Sequence, residues 1–598
     1  MDTSASPRDT YAERLAERTS LLATFDRRIA RIASLRLVVF IAAAAILWYT
    51  HWYWVFIPLA TFIALIAWQA RTERGAECAR RATRFYERGI DRIENRWHTA
   101  KTESGARFLD PHHPYAGDLD LFGHASLFQL LSTARTGGGE KRLASWLKFP
   151  ALQSPATVAQ LHARHEAIDE LRPLLDLREQ LVILGDDVAA STNPEHLAEW
   201  AVQPARIFPK WMRILALSLS LLALVALGWC FATNLADADA RLALIGIGFL
   251  EAVLTVPLRN RILGIVGEVE EPAHDLNLLS QILAVLETRE FHSPLLASLR
   301  KAISIDGRPA SVRIAQLRKL IDMLDSRENP IVRAIGPVIL WTTQVGMAVE
   351  AWRAENGPYV PGWLDAVSEI EALSALASYA WEHPADPFPE FVENGAVFDG
   401  HEMGHPLLPE DRCVRNSVSL QPPLRLLLVS GSNMSGKSTL LRTIGVNTVL
   451  ALAGAPVRAK RLVLSPLSLG ASIQTTDSLE EGQSRFMAEI LRLKQILELP
   501  RPALFLLDEL LGGTNSHDRA LGSEGLIRAL LDREAIGLVT THDLSLARVA
   551  DELAPAAANV HFEDRLEEGR LIFDYTMRPG VVTRSNALDL MRAVGLDL

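Results

Sequence analysis

The chain has 598 residues, too many for one hydrophobic core, so several domains are expected. A formal net charge of −10 and an isoelectric point near 5.9 exclude a global basic field of the kind that advertises nucleic-acid binding. The three cysteines, Cys78, Cys230 and Cys413, lie far apart with no Cys-x-x-Cys, which argues against a zinc site and a disulfide framework and fits a reducing compartment.

The slightly positive mean hydropathy, +0.12, comes from a few concentrated apolar stretches. Residues 1–36 are polar and become basic, with Arg27, Arg28, Arg31 and Arg36. Leu37 to Trp68 is almost wholly apolar, broken at Thr50 and His51. At about 20 residues per span this predicts two short membrane helices with a tight turn, where the aromatic cluster from Trp48 to Trp54 forms an interfacial belt. A buried hairpin in a soluble core is the alternative, and a cleavable signal peptide is not expected because a second apolar span follows directly. Arg71 to Arg96 reads as a charged helix continuing from the membrane.

Leu119 to Pro150 carries helical apolar stripes, Leu127, Leu130 and Leu131, then Leu143, Trp146 and Leu147, around a glycine break. Thr157 to Leu171 continues as a helix. A second apolar pair follows, Ile214 to Ala232 and Leu242 to Leu258, joined by an acidic linker. Arg71, Arg74, Lys210, Arg213, Arg259 and Arg261 fall on one side of both hairpins, which predicts an inner-membrane protein with its termini and soluble parts in the cytoplasm. Glu251 inside the fourth span is a costly charge that is either locally paired or functional. Ile262 to Leu324 is helical and amphipathic, Pro337 to Val349 is a core helix too short to span, and Trp363 to Trp381 is a long helix ended by Pro384, Pro387 and Pro389.

The most informative stretch is GSNMSGKST, Gly431 to Thr439, between an apolar strand (Leu424 to Val429) and a helix beginning near Lys437. Gly431, Ser432, Asn433, Met434, Ser435 and Gly436 form a phosphate-binding loop whose backbone N–H groups and helix N-terminus face a polyphosphate. Lys437 reaches the β- and γ-phosphates, Ser438 places its hydroxyl on Mg²⁺, and Thr439 completes the motif. Downstream, the strand Leu504 to Leu507 ends in Asp508, a second Mg²⁺ ligand, and Glu509, which activates the attacking water. His542 ends the next strand, placed to sense the γ-phosphate. The helix headed by Ser478 to Glu489 has no phosphate of its own within one subunit, but makes sense if it reaches the ATP of a second subunit.

Taken together, Asp477 to Glu489, GSNMSGKST, LLDELLGGTNSHD and TTHD resemble the MutS family of ATP-dependent DNA-repair clamps. His405-Pro406 with Asn416 resembles the start of the same ATPase domain, and Leu119 to Pro150 with ARHEAIDEL resembles the family's helical core or lever. The resemblance implies a head-to-tail homodimer in which Ser484 caps the partner's nucleotide, with Thr514, Asn515 and Ser516 at the seam. It also implies binding of mismatched or distorted DNA, with ATP and Mg²⁺ as cofactors. Gly512 stands where the family often has arginine. Cys413 lies where an aromatic often meets the base, and Tyr575 is a candidate to supply that stacking instead. Phe85-Tyr86-Glu87 matches the family's Phe-x-Glu wedge as a string but falls on the charged juxtamembrane helix, where chance explains it.

The expected architecture is therefore multidomain: an α/β P-loop ATPase domain of ABC/MutS type, an all-α core/lever, and two transmembrane hairpins. Its parts are a basic segment (1–36), hairpin 1 (37–70), a linker and first core part (71–205), hairpin 2 (206–261), a second core part (262–400) and the ATPase domain (401–598). Its partners are a second copy of itself, DNA and the lipid bilayer. Two rivals stand beside a DNA-coupled ATPase: a membrane sensor or scaffold that does not bind DNA, and an ABC-type transporter.

Overall fold

The computed structural model describes residues 6–49, 52–99, 103–148, 157–184, 194–206, 208–234, 236–270, 276–305, 307–432, 434–473, 485–512, 515–567 and 570–582. The chain divides into two compact units, one of residues 1–133, 141–183 and 372–598, the other of 134–140 and 184–371. The cut differs from the boundaries drawn along the sequence. The segments expected to begin the helical core belong with the carboxy-terminal part of the chain.

The first unit opens with α1 (Pro7–Tyr49) and α2 (Phe56–Ile93). Ser6 starts α1 by accepting the Asp9 N–H at 3.2 Å, with Pro7 at the first helical position, where its missing N–H costs nothing. The two helices pack closely because Gly89 leaves room for the Tyr11 ring: a Cβ there would lie 2.4 Å from it. Tyr11, Phe85, Tyr86 and Leu175 share one buried cluster. Two buried carboxylates tie the pair to the rest of the unit. Glu179 accepts from Tyr86 Oη at 2.6 Å and pairs with Arg18 at 2.8 Å, while Glu382 accepts from Tyr11 Oη at 3.1 Å and Arg92 Nε at 2.7 Å. Phe85 is thus packing material, 4 % exposed, with its ring away from any groove-reading role. After α3 (Leu127–Leu131), α4 (Gly137–Lys148), α5 (Val158–Leu171) and α6 (Leu175–Ile183), the chain enters the second unit.

That unit holds α7 (Pro194–Val202), α8 (Lys210–Ala232), α9 (Ala238–Thr255), α10 (Arg259–Glu270), α11 (Leu276–Glu287) and α12 (Pro294–Ala302). A small hairpin, β1 (Ser304–Ile305) with β2 (Arg308–Pro309), interrupts a stretch the sequence reads as wholly helical. Then come α13 (Ala310–Asp325), α14 (Pro330–Ile335), α15 (Trp341–Asn356) and α16 (Val360–Glu382), whose last turns return to the first unit.

Of the four expected spans, α1 and α8 are long and apolar enough to cross a membrane, and α9 reaches that length only together with Arg259–Ile265, across a 65° bend. The second arm of the first hairpin falls short, because its apolar run stops at Trp68 and the helix continues through Arg71, Glu73 and Arg74. Glu251 is buried in α9, and its Oε1 has no hydrogen-bond partner among the described residues.

The carboxy-terminal part carries two sheets. A small one orders β3 (Glu390–Phe391), β7 (Arg461–Leu464), β4 (Phe398–Met403) and β5 (Asn416–Leu420). The main sheet orders β12 (Arg570–Pro579), β11 (Ala557–Glu567), β6 (Leu426–Ser430), β10 (Ile536–Thr541), β9 (Ala503–Leu507) and β8 (Ser468–Ser472). All neighbours are parallel except β11 and β12. The continuous apolar strands follow from coverage on both faces. Leu426, Leu428, Phe505, Leu507 and Val539 pack with α18 (Arg485–Leu497), α19 (Ser516–Asp532) and α20 (Leu544–Glu552). Leu506, of opposite parity, points at Gly445 on α17 (Lys437–Ala453).

Three histidines in this first unit, His113, His165 and His405, are buried, and burial pushes each down to about 4. The folded chain keeps them neutral, whereas the unfolded chain protonates them near pH 6.5, so stability is lost as pH falls from about 6.5 toward 4. Each contributes up to about 1.4 kcal/mol per pH unit inside that window. The urea midpoint is expected to fall from pH 7 to 5.5. His113→Gln should flatten the slope by about one proton, and an unchanged slope would show that His113 does not titrate on unfolding.

Candidate active site

The site is built on the carboxyl ends of β6, β10 and β9. β6 ends at Ser430 and turns through Gly431, Ser432, Met434, Ser435 and Gly436 into α17, which begins at Lys437 as expected. Asn433 lies outside the described residues, as do Ser484 and Thr514. Gly431 (φ +153°) and Gly436 (φ +103°) take backbone conformations that side chains resist, and a Cβ on Gly436 would lie 3.1 Å from the Tyr575 ring. Two hydroxyls of the loop, Ser432 Oγ and Ser435 Oγ, are buried with no partner among the described residues, a cost that a bound anion would relieve.

Lys437 is buried, and its Nζ donates to Gly431 O at 3.0 Å and Ser432 O at 2.8 Å. Burial pushes the ammonium below its usual value, opposed by the charges of Glu509 and Asp508. His542 Nε2 stands 3.3 Å from Lys437 Nζ and 2.6 Å from Glu509 Oε1. With the lysine protons turned to carbonyls, the consistent tautomer has Nε2–H donating to the glutamate. Glu509 adopts φ +46°, a left-handed conformation that costs a non-glycine residue about 1 kcal/mol. Its N–H is held by Thr540 Oγ1 at 3.1 Å, and the same hydroxyl donates to Asp508 Oδ1. Thr540 thus ties the two acidic residues together, a role that sequence reasoning missed; its place at the end of β10, two residues before His542, was the available signal.

Beside this cluster opens a cavity of about 670 Å³, lined by Met434, Ser438, Thr439 and Glu509 together with His405, Cys413, Asn416 and Tyr575. Tyr575, the candidate for base stacking, therefore does sit with the loop. It is held there by Asn416, whose Nδ2 donates to Tyr575 O at 2.9 Å and whose Oδ1 accepts the Met577 N–H at 2.8 Å. Cys413 lines the cavity as well, its Sγ accepting from His405 N at 3.2 Å. Asn515 caps α19, its Oδ1 accepting the Asp518 N–H at 2.9 Å.

Among the described residues no three His, Cys, Asp or Glu side chains gather into a metal cluster. Ser438 and Asp508 are hard oxygen donors, and such a pair suits Mg²⁺ that takes its remaining ligands from phosphate and water. The donor set fits a nucleotide-borne metal.

Fold and cluster define the class, a parallel α/β domain of ATPase type. Residues 427–597 match the family MutS domain V. The chain is 33% identical over 246 residues to the Endonuclease MutS2 of Thermus thermophilus, a match covering 40% of this chain and 31% of that protein. It is 26% identical over 561 residues to the DNA mismatch repair protein MutS of the same organism, covering 89% of this chain and 65% of the relative. A MutS from Thermus caldophilus is 26% identical over 569 residues, at 89% and 64% coverage. The chain spans less than two thirds of the length of these relatives. Its residues 427–597 match MutS domain V, and over most of its length the chain is similar to MutS proteins.

Proposed function

We propose that the protein is a membrane-anchored MutS-like ATPase, acting as a homodimer, whose ATP-dependent switch is coupled to binding of mismatched or distorted DNA. The convergence of Lys437, His542, Glu509, Thr540 and Asp508 beside the glycine-bounded loop carries the ATPase reading. In it, loop N–H groups and Lys437 bind the β- and γ-phosphates, and Ser438 and Asp508 hold Mg²⁺, which neutralises phosphate charge when bound. Glu509 takes a proton from the attacking water, and His542 orients the carboxylate through Nε2. Tyr575 lies against the base, and Ser484 of one subunit caps the nucleotide of the other.

Lys437→Ala removes a charge-assisted contact of about 3 kcal/mol and is expected to weaken ATP binding on the order of a hundredfold, read with a fluorescent ATP analogue. Glu509→Gln is expected to bind ATP normally while turnover falls by roughly 10² or more. Wild-type turnover in Glu509→Gln would remove that residue from the water-activating role.

Anchoring is supported by α1 and α8 and by the exposed apolar side chains on them, among them Leu37, Phe40, Ile214 and Val225, which lipid would cover. Lys210 and Arg213 at the start of α8 and Arg259 and Arg261 after α9 support an inner-membrane location with the ATPase in the cytoplasm. The full chain is expected to stay with the membrane pellet after carbonate washing and to need detergent for release; recovery in the wash would defeat the anchoring.

The DNA part is supported by the name of the MutS relatives. A switch acting on a membrane-proximal protein is the second reading, favoured by the acidic balance and by the burial of Phe85. Binding of matched, mismatched and branched duplexes across a salt series separates the two. A preference for distorted duplexes that survives moderate salt and responds to ATP is expected. Weak binding that is equal for all duplexes and vanishes with salt is phosphate attraction alone and favours the second reading.

A further inference from the structure

The segment Pro111 to Asp120, which follows α2 in the chain, reaches the far edge of the ATPase sheet. β8 is the edge strand there, and an edge needs a cover. Ala471 N–H donates to Pro114 O at 2.8 Å, and Ile473 N–H donates to Asp118 Oδ1 at 2.7 Å across 355 residues of sequence. Between them, Ser472 O accepts the N–H of Asp508 at 2.9 Å. The Asp118 carboxylate and the Asp508 N–H therefore bond to the two ends of one peptide group, Ser472–Ile473.

The segment is itself held on several sides. Arg492 of α18 donates to His113 O and, at 2.8 Å, to Pro111 O, and Gln495 Nε2 donates to His112 O at 3.0 Å. Asp120 Oδ2 accepts from Arg442 of α17 at 2.7 Å. Leu119 is 1 % exposed and packs where Gly445 has no side chain; a Cβ there would lie 2.6 Å from Leu119 Cδ2. Neutral His113 locks the turn, its Nδ1 accepting from Ala116 N at 3.3 Å and its Nε2 donating to Lys148 O at 3.0 Å.

We propose that Asp118 is a positioning residue for Asp508: its bond to Ile473 fixes the end of β8, and β8 fixes the backbone that presents the metal-binding carboxylate. The inference rests on the reading of Asp508 as an Mg²⁺ ligand. It separates the two halves of the site, because the phosphate loop hangs on β6, which is separated from β8 by β10 and β9. Loss of Asp118 should therefore weaken the Mg²⁺-dependent part of nucleotide binding and spare the metal-free part.

The test uses the full chain in detergent and a fluorescent ATP analogue, titrated in EDTA and against Mg²⁺. Asp118→Ala is expected to raise the Mg²⁺ concentration for half-maximal binding about tenfold, the scale reached by outer partners of metal ligands, with affinity in EDTA within about twofold of wild type. Asp118→Asn keeps an acceptor oxygen and should restore near wild-type Mg²⁺ dependence. Arg492→Gln loosens the same segment without touching β8, and a shift in the same direction is expected even if Asp118→Ala fails to fold. Unchanged Mg²⁺ dependence in these variants, or equal loss in EDTA and Mg²⁺, overturns the inference while leaving the ATPase reading intact. A wild-type chain that binds the analogue without any Mg²⁺ dependence overturns both.

Discussion

Parallel pairing of β6, β10 and β9 is the constraint on which the rest of the carboxy-terminal α/β domain depends. The register sets Thr541 opposite Ser430 and Val539 opposite Leu507, so the loop after β6, the turn after β10 and the acidic pair after β9 emerge side by side. Neighbouring strands lie about 4.8 Å apart, which is why Lys437 and His542, 105 residues apart in sequence, and Glu509, 33 residues from that histidine, come together. A one-residue slip in either pairing would turn Asp508 and Thr540 to the opposite face and separate them. The apolar strands, covered on both faces, hold the register.

The site also stores strain that the surroundings over-determine. Glu509 and Tyr575 both have positive φ, and each is held by a side chain from another strand, Thr540 for the first and Asn416 for the second. Strain concentrated at residues aimed into a cavity is the pattern expected of a preorganised site. The unpartnered serine hydroxyls and the buried lysine add to this, since each is costly unless a polyanion arrives.

The helix pair α1 and α2 follows a different logic. Each helix is charged over one part and apolar over the other. The charged parts pack, through Tyr11, Tyr86, Arg18 and Arg92 onto two buried glutamates, Glu179 and Glu382. The apolar parts expose large side chains. In water such exposure is unfavourable, and it is the observation behind the proposed membrane anchoring.

By itself the sequence determined the strand–loop–helix around Lys437, the strands that precede Asp508 and His542, and the long helices that contain Arg71 and Trp363. These are local patterns: an apolar run bounded by glycine or acid, or helical periodicity sustained over many turns, needs no distant partner to be read. It overestimated the second arm of the first hairpin, where a helix continues past the end of its apolar run, and it missed the short β1–β2 hairpin, too brief to leave a period. Only the tertiary structure decided that residues 105–133 belong with the carboxy-terminal part, that Thr540 ties Asp508 to Glu509, that Asn416 holds Tyr575, and that Asp118 covers the edge of β8. These are single hydrogen bonds and single methyl-sized fits between residues hundreds of positions apart, and no spacing along a chain encodes them.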